Sequence, residues 1–216
     1  MAEIIPAIMP KSYDELEEKV SSLLGVVPVV QIDLMDGIFV KSKSWPYLKG
    51  ELVPDYLPNI HEIDYEIDLM VKDPRDRAHE WVMAGAKRII PHLEAFKNPA
   101  DDLADLRHDD VELGIAVNTT TSNEKIEEVI GLVDFVQFMG IERIGYQGEV
   151  FDERVVGKII SLRDKNPEII ISVDGGVSLL SAPELIEAGA NRLVSGSTIW
   201  KSDNIEETIE SLKELV

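Results

Sequence analysis

Val26-Val27-Pro28-Val29-Val30-Gln31-Ile32-Asp33-Leu34-Met35-Asp36-Gly37 begins as an apolar run and ends in an amide, two carboxylates and a glycine. The apolar part reads as a buried strand. Side chains two apart on a strand share a face, so Gln31, Asp33 and Met35 point the same way. An amide and a carboxylate at such a strand end cost free energy unless they have partners. This strand end is therefore a candidate site.

The same unit recurs along the chain. Strands are expected at 3–9, 27–34, 63–70, 87–92, 111–117, 133–139, 168–174 and 191–195. Helices are expected near 11–24, 46–57, 73–85, 99–107, 122–131, 152–165, 178–189 and 204–216. Ser12 before Glu15 has the capping-box spacing, Ser122-Asn123 before Glu124 marks another helix start, and Gly85 and Gly189 close their segments. Strand–helix alternation implies parallel strands joined by crossover helices. Eight units within 216 residues predict a single (β/α)8 TIM barrel over 1–216, of the compact kind. A doubly wound open sheet is the runner-up. The segment 37–50, with Lys41, Lys43, Lys49 and Trp45, is the longest expected loop and the candidate flap over the site.

Composition narrows the function classes. The 41 acidic and 21 basic residues give a formal net charge of −20, which opposes binding of nucleic acid and of anionic membranes. No window has the length of uninterrupted apolar residues that a membrane helix needs. There is no cysteine, so disulfides, thiolate nucleophiles and Cys-ligated metals are excluded. Met1-Ala2-Glu3 lacks the pattern of a signal peptide, and a cytoplasmic location is the expectation.

In such a barrel the chemistry lies at the C-terminal ends of the strands. On the third strand, Ile63, Tyr65, Ile67 and Leu69 suit the helix layer, which turns Glu66, Asp68 and Met70 to the interior. The fourth, fifth and sixth strands end in Pro91-His92-Leu93-Glu94, Val117-Asn118-Thr119-Thr120 and Gln137-Phe138-Met139, whose polar residues read most simply as loop caps. The last two end in Val173-Asp174-Gly175-Gly176-Val177 and Val194-Ser195-Gly196-Ser197-Thr198-Ile199. Glycines there let backbone N–H groups approach an anion, so these two ends together form a candidate phosphate site.

Taken together, these residues resemble the ribulose-phosphate 3-epimerase family. The resemblance runs through Pro6-Ala7-Ile8, Asp33-Leu34-Met35-Asp36-Gly37, Asp68-Leu69-Met70, His92-Leu93-Glu94, Asn118, Met139, Val173-Asp174-Gly175-Gly176-Val177 and Gly196-Ser197. It implies a sugar-phosphate epimerase of the pentose phosphate pathway. Two aspartates, matching Asp33 and Asp174, would move a proton across the C3 position of a ketose phosphate through an enediolate. It also implies a pocket lined by Met35, Met70 and Met139. Phosphate would be bound at Gly175, Gly176, Gly196 and Ser197, with Gly145 and Gly148 from the loop after the sixth strand. A small phosphorylated sugar is the implied partner, with a homo-oligomer as the possible assembly.

The departures fall at the metal. The family binds a divalent ion through two histidines and the two aspartates. The histidine positions are Gln31 and Asp68 here, and a serine position is Ala7. The loop Glu142-Arg143-Ile144-Gly145-Tyr146-Gln147-Gly148 also departs from the family pattern, with Arg143 as an added cation. A metal held by Gln31, Asp33, Asp68 and Asp174 would have only oxygen ligands, which favours Mg2+, Mn2+ or Ca2+ over zinc. Three alternatives stay open: a metal-free site with the Asp68 charge matched by hydrogen bonds, a sugar-phosphate-binding barrel that runs a different reaction on the same scaffold, and a barrel that binds sugar phosphate without turning it over.

Overall fold

The computed structural model describes residues 2–215, so Met1 and Val216, the last residue of the final expected helix, lie outside it. The strands are β1 (Glu3–Ile8), β2 (Val29–Met35), β3 (Asp64–Met70), β4 (Arg88–Pro91), β5 (Glu112–Val117), β6 (Phe135–Met139), β7 (Ile170–Asp174) and β8 (Arg192–Ser195). They close in chain order into one barrel, with β8 pairing back onto β1 in parallel. Each lies within two residues of its expected ends.

The helices are α1 (Tyr13–Ser21), α2 (Pro74–Met83), α3 (Pro99–Ala104), α4 (Asn123–Glu127), α5 (Arg154–Lys165), α6 (Ala182–Ala188), α7 (Ser197–Trp200) and α8 (Ile205–Glu214). Their starts follow local chemistry. Ser12 caps α1 by accepting from the Glu15 amide, and Glu15 reaches back to the Lys11 amide. Gly189 ends α6 in the left-handed region at φ 112°.

One expected helix does not form. Residues 46–57 belong to the long connection between β2 and β3 and form turns, a bend and irregular backbone. Pro46, Pro54 and Pro58 each remove an N–H donor, and Gly50 adds backbone freedom, so a continuous helical ladder fails. Trp45 fills the space against the helix layer instead, edge-on to Tyr13 and Trp81, with its Nε1 donating to Glu51. The segment expected near 122–131 splits into α4 and a 3-10 turn at Ile130–Leu132.

The alternation expected for β3 holds. Tyr65, Ile67 and Leu69 pack in the main core among helix residues such as Leu16, Trp81 and Leu103. Glu66 and Asp68 are wholly buried. At the N-terminal end of the barrel, Glu66 joins a charged layer. Arg88 contacts Glu3, Glu66 and Glu112 at 3.1, 3.0 and 3.3 Å, and Arg192 contacts Glu3 and Glu112 at 3.3 and 2.9 Å. Ile5, Val29, Ile90 and Phe135 are among the apolar residues of the bore.

Candidate active site

Barrel closure brings the end of β2 to the end of β7. The Gln31 Nε2 group donates to Asp33 Oδ1 at 2.7 Å and to Asp174 Oδ2 at 3.0 Å. Asp33 and Asp174 keep only 6% and 7% of their surface exposed, and Gln31 none. The Gln31 Oε1 atom has no hydrogen-bond partner.

Asp68 lies beside Asp33 in the parallel register of β2 and β3. Its Oδ1 is 3.0 Å from Nε2 of His92, and both side chains are fully buried. Oxygens of Asp33, Asp68 and Asp174 come within 4.8 Å of one another. Burial and the neighbouring charges of Asp174 and Asp68 push the Asp33 carboxyl well above the usual range, against the opposing Gln31 hydrogen bond. Burial and the Asp68 charge push Asp174 up to about 7. For His92, burial disfavours the imidazolium, but the charge and hydrogen bond of Asp68 outweigh it and the pKa rises.

This group fits a hard divalent cation. Three carboxylates converge, and Asp68 Oδ2 is buried without a partner, as an oxygen awaiting a ligand would be. Gln31 presents nitrogen, not oxygen, to the aspartates. It would join the ligand set only by turning its unpartnered Oε1 inward.

Above the carboxylates opens a cleft. Asp33, Asp174, Met70 and Met139 are among its lining residues, as are Gly145, Gly148, Gly175, Gly176, Gly196 and Ser197. Met35 stands just behind, packed with Val40 and Met70. The glycine end is tightly built. The Gly140 amide donates to the Asp174 carbonyl at 2.7 Å, and a Cβ on Gly140 would run into the Gly175 carbonyl oxygen. Gly175 and Gly176 have φ of 94° and 69°, which turns the chain away from β7. The Ala7 carbonyl accepts from Trp200 Nε1 at 2.7 Å. Arg143 is exposed, stacked on Tyr146 and paired with Glu149, so the added cation is a surface group at the rim.

The loop after β2 covers the carboxylate side. Asp36 Oδ1 accepts from the amides of Ile38 and Phe39, and its Oδ2 accepts from that of Lys72. Phe39 and Val40 pack toward Met35 and Met70, and the Phe39 ring lies 5.3 Å from His92. Buried Ser44 donates to the Asp33 carbonyl at 2.8 Å and accepts from the Met35 amide at 3.0 Å. Of the expected flap, then, residues near 39–40 face the site, while Trp45 turns to the helix layer.

The sequence profile described as "Ribulose-phosphate 3 epimerase family" matches residues 3–200. The chain belongs to the ribulose-phosphate 3-epimerase family. A chloroplastic ribulose-5-phosphate-3-epimerase of Arabidopsis thaliana is 30% identical over 220 residues, covering 97% of this chain and 75% of that protein. A ribulose-phosphate 3-epimerase of Bacillus subtilis (strain 168) is 27% identical over 219 residues, covering 99% of each. Among solved structures, a 3-hexulose-6-phosphate synthase superposes with a TM-score of 0.71 at 16% identity over 99% of both chains, a likeness of fold. Membership in the epimerase family identifies this barrel as an epimerase-like enzyme. Among the described residues no helix is long and apolar enough to cross a membrane.

Two residues of this epimerase-family site stand out only in the structure. His92 read as a loop cap, yet it follows Arg88 and Ile90 on the inward face of β4, the same alternation that places Asp68 inside. Ser44 carries no comparable signal, because its partners are backbone groups nine and eleven residues away.

Proposed function

We propose that this protein epimerises a ketose phosphate, with D-ribulose 5-phosphate and D-xylulose 5-phosphate as the substrate pair. The observation that carries this reading is the single Gln31 amide bonded to both Asp33 and Asp174 directly beneath a glycine-lined cleft. The C3 hydrogen of such a substrate is next to the C2 ketone. One aspartate takes that proton as carbonyl electrons move toward oxygen, which leaves an enediolate. The other aspartate returns a proton to the opposite face, which inverts C3. A carboxylate of ordinary pKa is a weak base for this step. In the metal-free site, burial and the neighbouring Asp68 charge raise both groups above the ordinary carboxylate range.

The remaining residues position the substrate. Backbone groups at Gly175, Gly176, Gly196 and Ser197, with Gly145 and Gly148, are suited to hold the phosphate. Met70 and Met139 keep the floor apolar and exclude water. Asp33, Asp68 and Asp174, with Gln31 on rotation of its amide, would hold a divalent cation, which when bound supplies Lewis-acid stabilisation of charge developing on the substrate oxygens. An oxygen-only site favours Mg2+, Mn2+ or Ca2+.

The test is deuterium incorporation from solvent into ribulose 5-phosphate, with and without EDTA. Exchange at C3 that stops with EDTA is the expected result. Absence of exchange with phosphate binding retained overturns the epimerase reading. Stoichiometric zinc in the purified protein overturns the assignment of a hard ion.

A further inference from the structure

We propose that His92 is a positioning residue that fixes Asp68 as a one-oxygen ligand for a divalent cation. This rests on the metal-assisted reading of the site given above. The Gln31 amide serves Asp33 and Asp174 and does not reach Asp68. The hydrogen bond that Asp68 receives comes from His92 Nε2, at 3.0 Å on Oδ1. That bond commits Oδ1 and leaves Oδ2, which has no partner, as the oxygen free to bind a cation beside Asp33 and Asp174.

Packing alone does not account for the imidazole. His92 is fully buried, and its Nδ1 has no hydrogen-bond partner, the nearest acid oxygen being Glu94 Oε2 at 3.8 Å. A buried nitrogen left unpaired costs free energy that an apolar residue of the same size avoids. The hydrogen bond that His92 makes points at Asp68, and the Phe39 ring at 5.3 Å restrains the imidazole from the other side. Hydrogen-bond partners of ligating groups set their orientation and thereby the metal affinity.

The test measures Mn2+ affinity of the whole protein by titration calorimetry, comparing wild type with His92→Leu, His92→Asn and His92→Gln. The longer amide of His92→Gln can place an N–H where Nε2 stands, whereas the shorter amide of His92→Asn cannot. Affinity is expected to fall about 10–100-fold in His92→Leu and His92→Asn, and to stay within about threefold of wild type in His92→Gln. Binding of inorganic phosphate should be unchanged in all three. If His92→Leu does not fold, His92→Asn gives the same reading. Equal Mn2+ affinity in wild type and the Leu or Asn variant overturns the proposal, as does an equal loss in all three, or a wild type that binds no Mn2+. A wild type with this dependence on His92 that exchanges no deuterium at C3 overturns the epimerase reading alone.

Discussion

Gln31 donates through one nitrogen to Asp33 and to Asp174, at 2.7 and 3.0 Å, although the two aspartates stand on strands β2 and β7. An amide adds hydrogen bonds without adding charge, so it holds two carboxylates at a fixed spacing while leaving their repulsion in place. Charge-assisted hydrogen bonds are each worth about 1.5–3 kcal/mol. Gln31→Leu should therefore lower the rate of C3 exchange at saturating substrate by roughly 10–100-fold, since about 1.4 kcal/mol is a factor of ten. Its KM should stay within about threefold, because the phosphate end is untouched. Steady-state kinetics would check both values.

Asp33→Asn and Asp174→Asn should each reduce exchange by about 10²–10⁴-fold. Both variants should still bind inorganic phosphate, since the glycines that line the far end of the cleft are unchanged. Full exchange activity in either variant would show that the assignment of the proton-transfer pair is wrong.

Placing imidazoles at the two departing positions, as Gln31→His with Asp68→His, should shift metal preference from Mn2+ toward Zn2+ because nitrogen ligands suit zinc. Competition between the two ions, followed by metal analysis of the double variant, measures the shift.

Much of this architecture is legible in the chain because period-two alternation and strand-end glycines are local signals. The β3 residues Glu66 and Asp68 could be turned inward from Tyr65, Ile67 and Leu69 alone. The pairing of Asp68 with His92 was not legible, because it depends on the register of two separate strands. Residues 46–57 misled for a different reason. Their apolar spacing resembles a helix, but the prolines and the demand for a large aromatic at Trp45 decide the conformation.

The charged layer at the barrel base has its own pH signature. Burial pushes Glu66 up to about 7, although the charge and hydrogen bond of Arg88 oppose this. Its folded pKa lies above its unfolded value, so between about pH 4.5 and 7 the native state holds the proton more tightly than the unfolded chain. The contribution of Glu66 is then present below the unfolded pKa and lost as pH rises through that window. Glu66→Gln should flatten this part of the stability–pH curve, measured by urea unfolding at a series of pH values.

Gly140→Ala should destabilise the protein by about 1–3 kcal/mol, since the added methyl meets backbone, not a yielding side chain. Because the backbone it meets is that of Gly175, which lines the cleft next to Asp174, the same change should raise KM for the sugar phosphate. Thermal unfolding and initial-rate kinetics would separate the two effects.

The Ser44 hydroxyl ties the loop after β2 to the peptide units of Asp33 and Met35. Opening of that loop from its far end would break the hydrogen bonds of Ser44 to the Met35 amide and the Asp33 carbonyl. Travel is thus confined to the span between Asp36, itself bonded to the Lys72 amide, and the Ser44 stitch. Within that tether, the cover and the Asp33 carboxylate share one backbone, and displacement of either is felt by the other.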